Sequence, residues 1–174
     1  MTMEIYVANI SRFIAGAAND GKWVSLPASG HTLSQILDAI GVDDGTEYFI
    51  PTMESDLEGL TDVIGEHTSL AEVNALARLL VLLPDCDLKK LEAILEMESP
   101  DLFSLMAILE TLDNYDFYPD IHDDEDLGRY FVDELGCLSI PDHLKNYIDY
   151  ESYGRDIRLE SSGGFAAGGF LFTQ

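Results

Sequence analysis

Two long stretches of this chain carry many acidic residues and no basic residue, and they limit what the chain can fold into. The first stretch lies between Lys22 and Arg78, and the second lies between Lys90 and Arg129. In the whole chain of 174 residues, 33 Asp and Glu face nine Lys and Arg, so the formal net charge is −24 at pH 7. So large a charge destabilises a compact state by self-repulsion. We therefore expect the acids to form the surface of the protein and to serve its function.

Composition excludes several classes of protein. The hydrophobic fraction of 47% is sufficient for a core, whereas proteins that bind nucleic acid or an anionic membrane surface are basic. No run of about 18 apolar residues could span a membrane, and the N-terminus lacks the basic and apolar regions of a signal peptide. Two cysteines, Cys86 and Cys137, are too few for a disulfide framework. We therefore expect a cytoplasmic protein with reduced thiols that binds neither nucleic acid nor a membrane.

The acidity is compatible with a protein that resembles DNA. Duplex DNA carries about one charge per 1.7 Å of its axis, so a charge of −24 corresponds to roughly 12 base pairs, or about 40 Å of duplex. We hypothesise that the acids present this DNA-like array of charge to a DNA-binding protein. The residues assigned to the DNA-mimic surface are Asp38, Asp43, Asp44, Glu47, Glu54, Asp56, Glu58, Asp62, Glu66, Glu110, Asp113, Asp116, Asp120, Asp123, Asp124, Glu125 and Asp126.

Other interpretations of the acidic stretches remain open. Acidic runs are most often only solvated faces, and an acidic adaptor for some other basic DNA-binding protein would have the same composition. Halophilic adaptation would spread the acids more evenly, whereas here they cluster before Leu127. A carboxylate-dependent hydrolase is the enzymatic alternative, but the chain has no G-x-S-x-G, P-loop, C-x-x-C or H-E-x-x-H motif. An EF-hand over Asp120–Phe131 fails, because Glu125 stands where that loop needs Gly. We expect no metal, cofactor or catalytic residue.

Strand and helix signals alternate at the start of the chain. Residues 4–13 have the Ile, Tyr and Val content of a strand, and a turn at Asn19-Asp20-Gly21 leads to a second strand over Lys22–Leu26. Thr32 and Gln35 have the spacing of a capping box that opens a helix.

This helix is predicted to end at Gly41, because glycine adopts the left-handed conformation of a C-terminal cap. Strand character returns over residues 47–53, and an acidic loop is predicted from Glu54 to Glu66.

Three short amphipathic helices are predicted in the middle of the chain, where they would form a small bundle. Ser69 and Glu72 have capping-box spacing for the first helix. Asp85 or Asp87 is predicted to cap the second helix, and Ser99-Pro100 is predicted to open the third.

The C-terminal part returns to mixed structure. An edge strand is predicted over residues 116–121, because Pro119 interrupts the pattern. Asp123 to Asp126 are predicted to begin a helix, since acids in a first turn suit the helix macrodipole. The apolar face of this helix is predicted to consist of Leu127, Tyr130, Phe131, Leu135 and Leu138.

A short helix over residues 144–148, introduced by Pro141, and a glycine-rich tail are predicted at the end of the chain. We predict that the tail from Ser161 to Gly169 is loose, and that only residues 170–172 are ordered. With strands at both ends and helices between, the fold class is α+β.

Two segments of the chain resemble ArdA-type antirestriction proteins. The stronger one is Leu144-Lys145-Asn146-Tyr147-Ile148-Asp149-Tyr150, which runs into Tyr153-Gly154-Arg155-Asp156. The N-terminus agrees independently, with Ile5-Tyr6-Val7-Ala8-Asn9-Ile10 and then Gly16, Gly21, Trp23 and Pro27. The middle matches only as acidic amphipathic helices. The chain departs from the family at Phe13-Ile14, where Tyr-Asn is common, and in the glycine-rich tail.

The resemblance implies an elongated, acidic DNA mimic, encoded on a mobile genetic element, that occupies the DNA-binding groove of a type I restriction–modification enzyme and inhibits it. It implies an N-terminal α/β domain over residues 1–60, a central helical domain over 61–113 and a C-terminal α/β domain over 114–174 that forms a homodimer. Aromatic residues favour such an interface and acids oppose it. The residues that we assign to the dimer interface are Phe117, Tyr130, Phe131, Leu138, Ile140, Tyr147, Ile148, Tyr150 and Tyr153.

Overall fold

The computed structural model describes residues 1–16, 20–43 and 47–173, which form two compact units. The first unit contains residues 1–88 and 99–110, and the second contains residues 89–98 and 111–174. Each unit combines helices with a three-stranded antiparallel sheet. The predicted α+β class is therefore confirmed, while the division into three domains remains a prediction.

The sheet of the first unit has the order β2-β1-β3. Its strands are β1 (Met3–Asn9), β2 (Lys22–Ser25) and β3 (Tyr48–Ser55). Ile5 and Val7 are fully buried on the central strand β1. In the register, Tyr6 lies opposite Trp23 on β2 and opposite Thr52 on β3. The hairpin of the first two strands and the later strand are thus confirmed.

The first strand is shorter than predicted, because Asn9 ends it. The side chain of Asn9 accepts a hydrogen bond of 3.1 Å from the backbone N–H of Arg12, and it thereby caps α1 (Ile10–Ile14). Its amide nitrogen donates to the carbonyl oxygens of Ile40 and Gly41. Extending the strand to residue 13 was wrong, since an Asn cap outweighs the β propensity of the residues that follow it. Of the predicted turn, Asn19 lies outside the described residues.

Helix α2 (Gly30–Ala39) begins two residues before the predicted cap. The Oγ of Ser29 accepts from the backbone N–H of Thr32 at 3.1 Å, so Ser29 is the N-cap and the Thr32–Gln35 capping box was wrong. The predicted end is confirmed, because Gly41 has a φ of 72° just after the C-cap residue Ile40. The acidic loop after β3 was only partly right, since it contains the short helix α3 (Leu60–Val63).

Three further helices follow, as the sequence predicts. They are α4 (Leu70–Leu80), α5 (Asp85–Glu98) and α6 (Leu102–Glu110). The capping box of Ser69 and Glu72 is present at α4.

The caps of the other two helices differ from the prediction. Asp85 and Asp87 both lie inside the first turn of α5, where their charges suit the helix macrodipole. Helix α6 is capped by Asp101, whose Oδ1 accepts from the backbone N–H of Ser104 at 2.8 Å. Ser99 instead has a positive φ of 44°, which an N-cap residue does not adopt.

The sheet of the second unit has the order β4-β6-β5. Its strands are β4 (Tyr115–Tyr118), β5 (Gly163–Ala166) and β6 (Gly169–Thr173). The edge position of β4 is confirmed. The prediction of a loose tail was wrong, because the glycines form a hairpin whose last strand is the centre of the sheet. A side chain at Gly163 or Gly169 would meet neighbouring backbone and ring atoms within about 3 Å, so the glycines allow close packing.

Two helices cross closely in the second unit. They are α7 (Asp124–Arg129), which continues as a π-helical turn over Tyr130–Glu134, and α8 (Tyr150–Glu160). A Cβ atom on Gly128 would overlap the carbonyl oxygen of Tyr150, and one on Gly154 would overlap that of Asp124. Helix α8 was not predicted from the sequence, although Asp149 caps it by accepting a hydrogen bond from the backbone N–H of Ser152. The predicted short helix at 144–148 is a 3₁₀ helix over Asp142–Tyr147.

A cluster of aromatic side chains forms the core between these helices and the sheet. Ile121, Leu127 and Phe170 are buried at its centre, with Tyr118, Tyr130, Phe131, Ile157, Phe165 and Phe172 packed around them. Burial raises the pKa of Tyr118 to about 12, and the neighbouring Tyr130 adds to the increase. Leu135 and Leu138 are 52% and 41% exposed. Their assignment to the apolar face of this helix was wrong, because the π-helical turn ends at Glu134, before both residues.

The close approach of the helices at Gly154 predicts how a substitution there changes stability. Replacing Gly154 by Ala should lower the free energy of unfolding by about 3 kcal/mol, because the new methyl group overlaps backbone that cannot move away independently. Gly30→Ala is the control, since a Cβ atom at that helical position has no neighbour within 4 Å. Urea unfolding followed by far-ultraviolet circular dichroism measures both. Equal midpoints for the two variants would contradict the close crossing.

Candidate functional site: an acidic surface

The residues assigned to the DNA-mimic surface all lie at least partly in solvent, except Asp44, which is outside the described residues. Thirteen of them are exposed, and Asp116, Asp124 and Asp126 are half-buried. None of the acids in residues 1–16, 20–43 and 47–173 is buried. This distribution follows from desolvation, because an isolated carboxylate cannot leave water without a large cost in free energy.

The acids divide almost evenly between the two units. The first unit has 16 acidic and three basic residues, which gives a charge of −13, and the second has 17 acidic and six basic residues, which gives −11. The assigned residues up to Glu110 belong to the first unit, and those from Asp113 onward belong to the second. Each unit therefore carries its own strongly negative surface.

Few cations neutralise the assigned acids of the first unit. Asp38, Glu54, Asp62, Glu66 and Glu110 make no ion pair with any residue that the structure describes. Full negative charge at these positions therefore faces solvent, where it is available to a partner.

Asp56 is the assigned acid with the clearest structural role in this unit. Its Oδ1 accepts a hydrogen bond of 2.7 Å from the backbone N–H of Thr2, which ties β1 to the loop after β3. This hydrogen bond lowers the pKa of Asp56 below its usual value.

In the second unit, part of the predicted surface has a structural role. The guanidinium of Arg158 donates to both oxygens of Asp124, at 2.7 and 2.9 Å, and so connects α8 to α7. The hydrogen bonds from Arg158 lower the pKa of Asp124, and only 18% of the Asp124 side chain is exposed. The charge of Asp124 is thus offset within the protein.

The other acids at the start of α7 also accept hydrogen bonds or form an ion pair within the unit. Asp123 caps the helix by accepting from the backbone N–H of Asp126, and Asp126 accepts from the backbone N–H of His122. Glu125 forms an ion pair of 2.6 Å with Arg129. Asp113 and Asp120 are exposed and make no ion pair among the described residues. The freely available charge in this unit is therefore smaller than the sequence predicts.

Within the two stretches that contain no basic residue, four further exposed acids were not assigned to the surface. These residues are Glu72, Glu96, Glu98 and Asp101. Glu96 accepts a hydrogen bond of 2.6 Å from the backbone N–H of Ala167, and Glu72 and Asp101 act at helix N-termini. All four lie in the stretches without basic residues, so the same signal could have identified them.

The predicted interface residues are placed in different environments. Tyr150 is buried, and the guanidinium carbon of Arg129 lies 4.4 Å from the centre of its ring. Tyr130 and Phe131 pack against the core, while Tyr147 is 84% exposed. The remaining residues, Phe117, Leu138, Ile140, Ile148 and Tyr153, are half-buried or exposed. Tyr147 and Leu138 are therefore the most accessible members of this set.

A polar cleft lies beside this region, with a volume of about 620 Å³. Its two cations are already paired, Arg129 with Glu125 and Lys145 with Asp133 at 3.0 Å. The described residues contain no group of three or more His, Cys, Asp or Glu placed to hold a metal ion. Within the same residues, no helix combines the length and apolarity that crossing a membrane requires.

Comparison with known proteins identifies the class to which this acidic two-unit structure belongs. The model of the antirestriction protein (ArdA) family matches residues 5–172, which is nearly the whole chain. The chain therefore belongs to the ArdA family of antirestriction proteins. A search of the curated proteins finds no match.

The Asp124–Arg158 pair generates a prediction on pH dependence. Because the pKa of Asp124 is lowered in the folded protein, its contribution to stability should be fully present above about pH 4, the usual value for Asp. This contribution should be lost as the pH falls through the lowered value. The variant Asp124→Asn should therefore be less stable than the original protein at pH 7, and the difference should shrink in acid.

Urea midpoints measured between pH 7 and pH 2 test this dependence. Asp120→Asn is the control, because Asp120 is exposed and makes no ion pair with a described residue. A difference between Asp124→Asn and the original protein that stays constant over this pH range would contradict the assigned role.

Proposed function

We propose that this antirestriction protein acts as a DNA mimic, which occupies the DNA-binding site of a type I restriction–modification enzyme and blocks the entry of duplex DNA. The observation that carries the proposal is the position of the acids, since every described acid reaches solvent, and Asp38, Glu54, Asp62, Glu66 and Glu110 make no ion pair with a described residue. The DNA-binding site of such an enzyme must carry positive charge. The −24 charge of the chain complements that site.

Binding through such a surface would be distributed over many residues. An exposed ion pair contributes about 0–1 kcal/mol, so affinity has to come from the sum of many pairs. Long-range attraction would also speed the encounter with the enzyme. Because dissolved salt screens exposed charges, inhibition should weaken as ionic strength rises.

The test of the proposal is competition for one site. A purified type I methyltransferase core should bind this protein, and duplex DNA should displace the protein completely, because both occupy the same positively charged groove. Fluorescence anisotropy of the labelled protein, titrated first with enzyme and then with unlabelled duplex, measures the displacement. A ternary complex of enzyme, DNA and this protein at saturation would show that the sites are separate.

Charge variants in the same assay distinguish mimicry from catalysis. Neutralising Glu54, Asp62 and Glu66 together should weaken binding about tenfold, since three exposed pairs sum to roughly 1–2 kcal/mol. Each single neutralisation should have only a small effect. The matched control neutralises Glu134, Glu151 and Glu160, which are exposed but lie outside the assigned surface. If one neutralisation abolished inhibition in a folded protein, a carboxylate-dependent hydrolase would be favoured instead.

We further propose that the second unit forms a two-fold symmetric dimer. Two chains of charge −24 repel one another, so contact requires exposed apolar area with balanced charge. Tyr147 and Leu138 are exposed in this unit, and Lys145, two residues before Tyr147, is paired with Asp133. A two-fold axis would place two acidic surfaces symmetrically. Together they would carry charge equivalent to roughly 24 base pairs of duplex.

The dimer proposal predicts the effect of removing its most exposed aromatic side chain. Tyr147→Ala should raise the dimer dissociation constant about tenfold, because truncating a central aromatic residue typically costs more than 1 kcal/mol. Leu159→Ala is the control, since Leu159 is 70% exposed in the same unit but was not assigned to the interface. Sedimentation equilibrium in high salt measures both. If the unsubstituted protein stays monomeric at micromolar concentration in high salt, where the repulsion between chains is screened, the dimer is refuted.

A further inference from the structure

An exposed aromatic side chain in the first unit has no role in the acidic surface. Phe103, in the first turn of α6, is 83% exposed. A large apolar side chain in water forgoes the free energy that its burial would supply. A pure charge mimic of DNA gains nothing from such a residue, so Phe103 requires a separate explanation.

Phe103 borders a groove of about 770 Å³ that lies wholly within the first unit. Apolar atoms come from Val63 at the end of α3, from Ala75 on α4, and from Leu102 and Met106 on α6. A groove of this volume has the size of a typical binding pocket. Its lining can accept one large apolar side chain.

The charge around the groove is negative. Glu66, Glu72 and Asp101 line it together with His67, and no Lys or Arg is among its lining residues. Glu72 and Asp101 are held in place by hydrogen bonds at the N-termini of α4 and α6. A ligand for this groove must therefore combine an apolar group with positive charge.

The same negative charge restricts which molecule can occupy the groove. A second copy of this chain would bring another acidic unit, for example the first unit with its net charge of −13, against the carboxylates of Glu66, Glu72 and Asp101. DNA would be repelled more strongly still. A basic protein segment satisfies both requirements, because it can place an apolar side chain in the groove and lysine or arginine beside the carboxylates.

We propose that the Phe103 groove docks a segment of the inhibited enzyme in which an apolar side chain stands between basic residues. This inference rests on the proposed function and adds to it a contact that DNA cannot make. Salt does not screen the burial of Phe103 as it screens exposed charge. The groove therefore supplies the part of the affinity that persists at high ionic strength, and it distinguishes the target from other polycations.

Affinity measured at two salt concentrations tests the inference. The dissociation constant for a purified type I methyltransferase core is determined at about 0.1 M and about 0.4 M NaCl. Phe103→Ala should weaken binding about tenfold at both concentrations, as truncation of an anchor residue does, and Phe103→Leu should restore much of the loss. Glu66→Gln should weaken binding less at high salt than at low salt. Leu82→Ala, at a position that is 79% exposed and outside the groove, should have no effect.

The outcomes separate this inference from the proposed function. Suppose that DNA displaces the unsubstituted protein while Phe103→Ala binds with unchanged affinity at both salt concentrations. That result would refute docking at the groove and leave the proposed mimicry intact. Failure of DNA to displace the unsubstituted protein would refute the proposed function and this inference with it.

Cross-linking identifies the occupant directly. A photoreactive phenylalanine at position 103 should cross-link to the methyltransferase core, and an excess of duplex DNA should abolish the product. A cross-link to a second copy of this chain as the main product would overturn the proposal.

Discussion

The need to keep carboxylates in water governs this structure. With 33 acidic side chains against nine basic ones, internal pairing cannot neutralise most of the charge, and burying an unpaired carboxylate costs far more than a small domain can recover. Every described acid accordingly reaches solvent. The buried residues are almost all apolar, and Asn9 and Asn74 are the buried polar residues that the structure describes.

The acids that have structural roles remain on the surface. Glu72, Asp101, Asp123 and Asp149 sit at the N-termini of helices, where they accept backbone hydrogen bonds and interact favourably with the macrodipole. The hydrogen bonds from Ser104 and Ser152 lower the pKa of Asp101 and Asp149. Helix capping is thus a role that an acidic chain can perform with side chains it already has, and it leaves the negative charge on the outside.

The sequence predicted the elements that local chemistry determines. The strands β1, β2 and β3, the capping box at Ser69 and the helix start at Asp123 all depend on neighbouring residues. Some failures were local, since the caps at Asn9 and Ser29 are formed with residues three positions away, and others have tertiary causes. Helix α8 is positioned by its contact with α7 through Gly128 and Gly154, and the glycine-rich tail becomes a hairpin because β4 is available to pair with it.

For the acidic surface, the sequence indicated which acids would be exposed but not which would be engaged. Asp124 and Arg158 are 34 residues apart in the chain, and no local pattern connects them. The exposed Phe103 was equally hidden, because its spacing matches that of the apolar face of α6.

The crossing at Gly154 has a consequence for how such a protein can change over time. A surface that acts by total charge tolerates the exchange of one acid for another, or the shift of an acid to a nearby position, so its sequence is free to drift. At Gly154 the backbone of one helix lies against the backbone of another, and no larger residue fits. Within Tyr153-Gly154-Arg155-Asp156, part of the segment through which the chain resembles its family, Gly154 is therefore fixed by packing, whereas the exposed Arg155 and Asp156 are not held in this way.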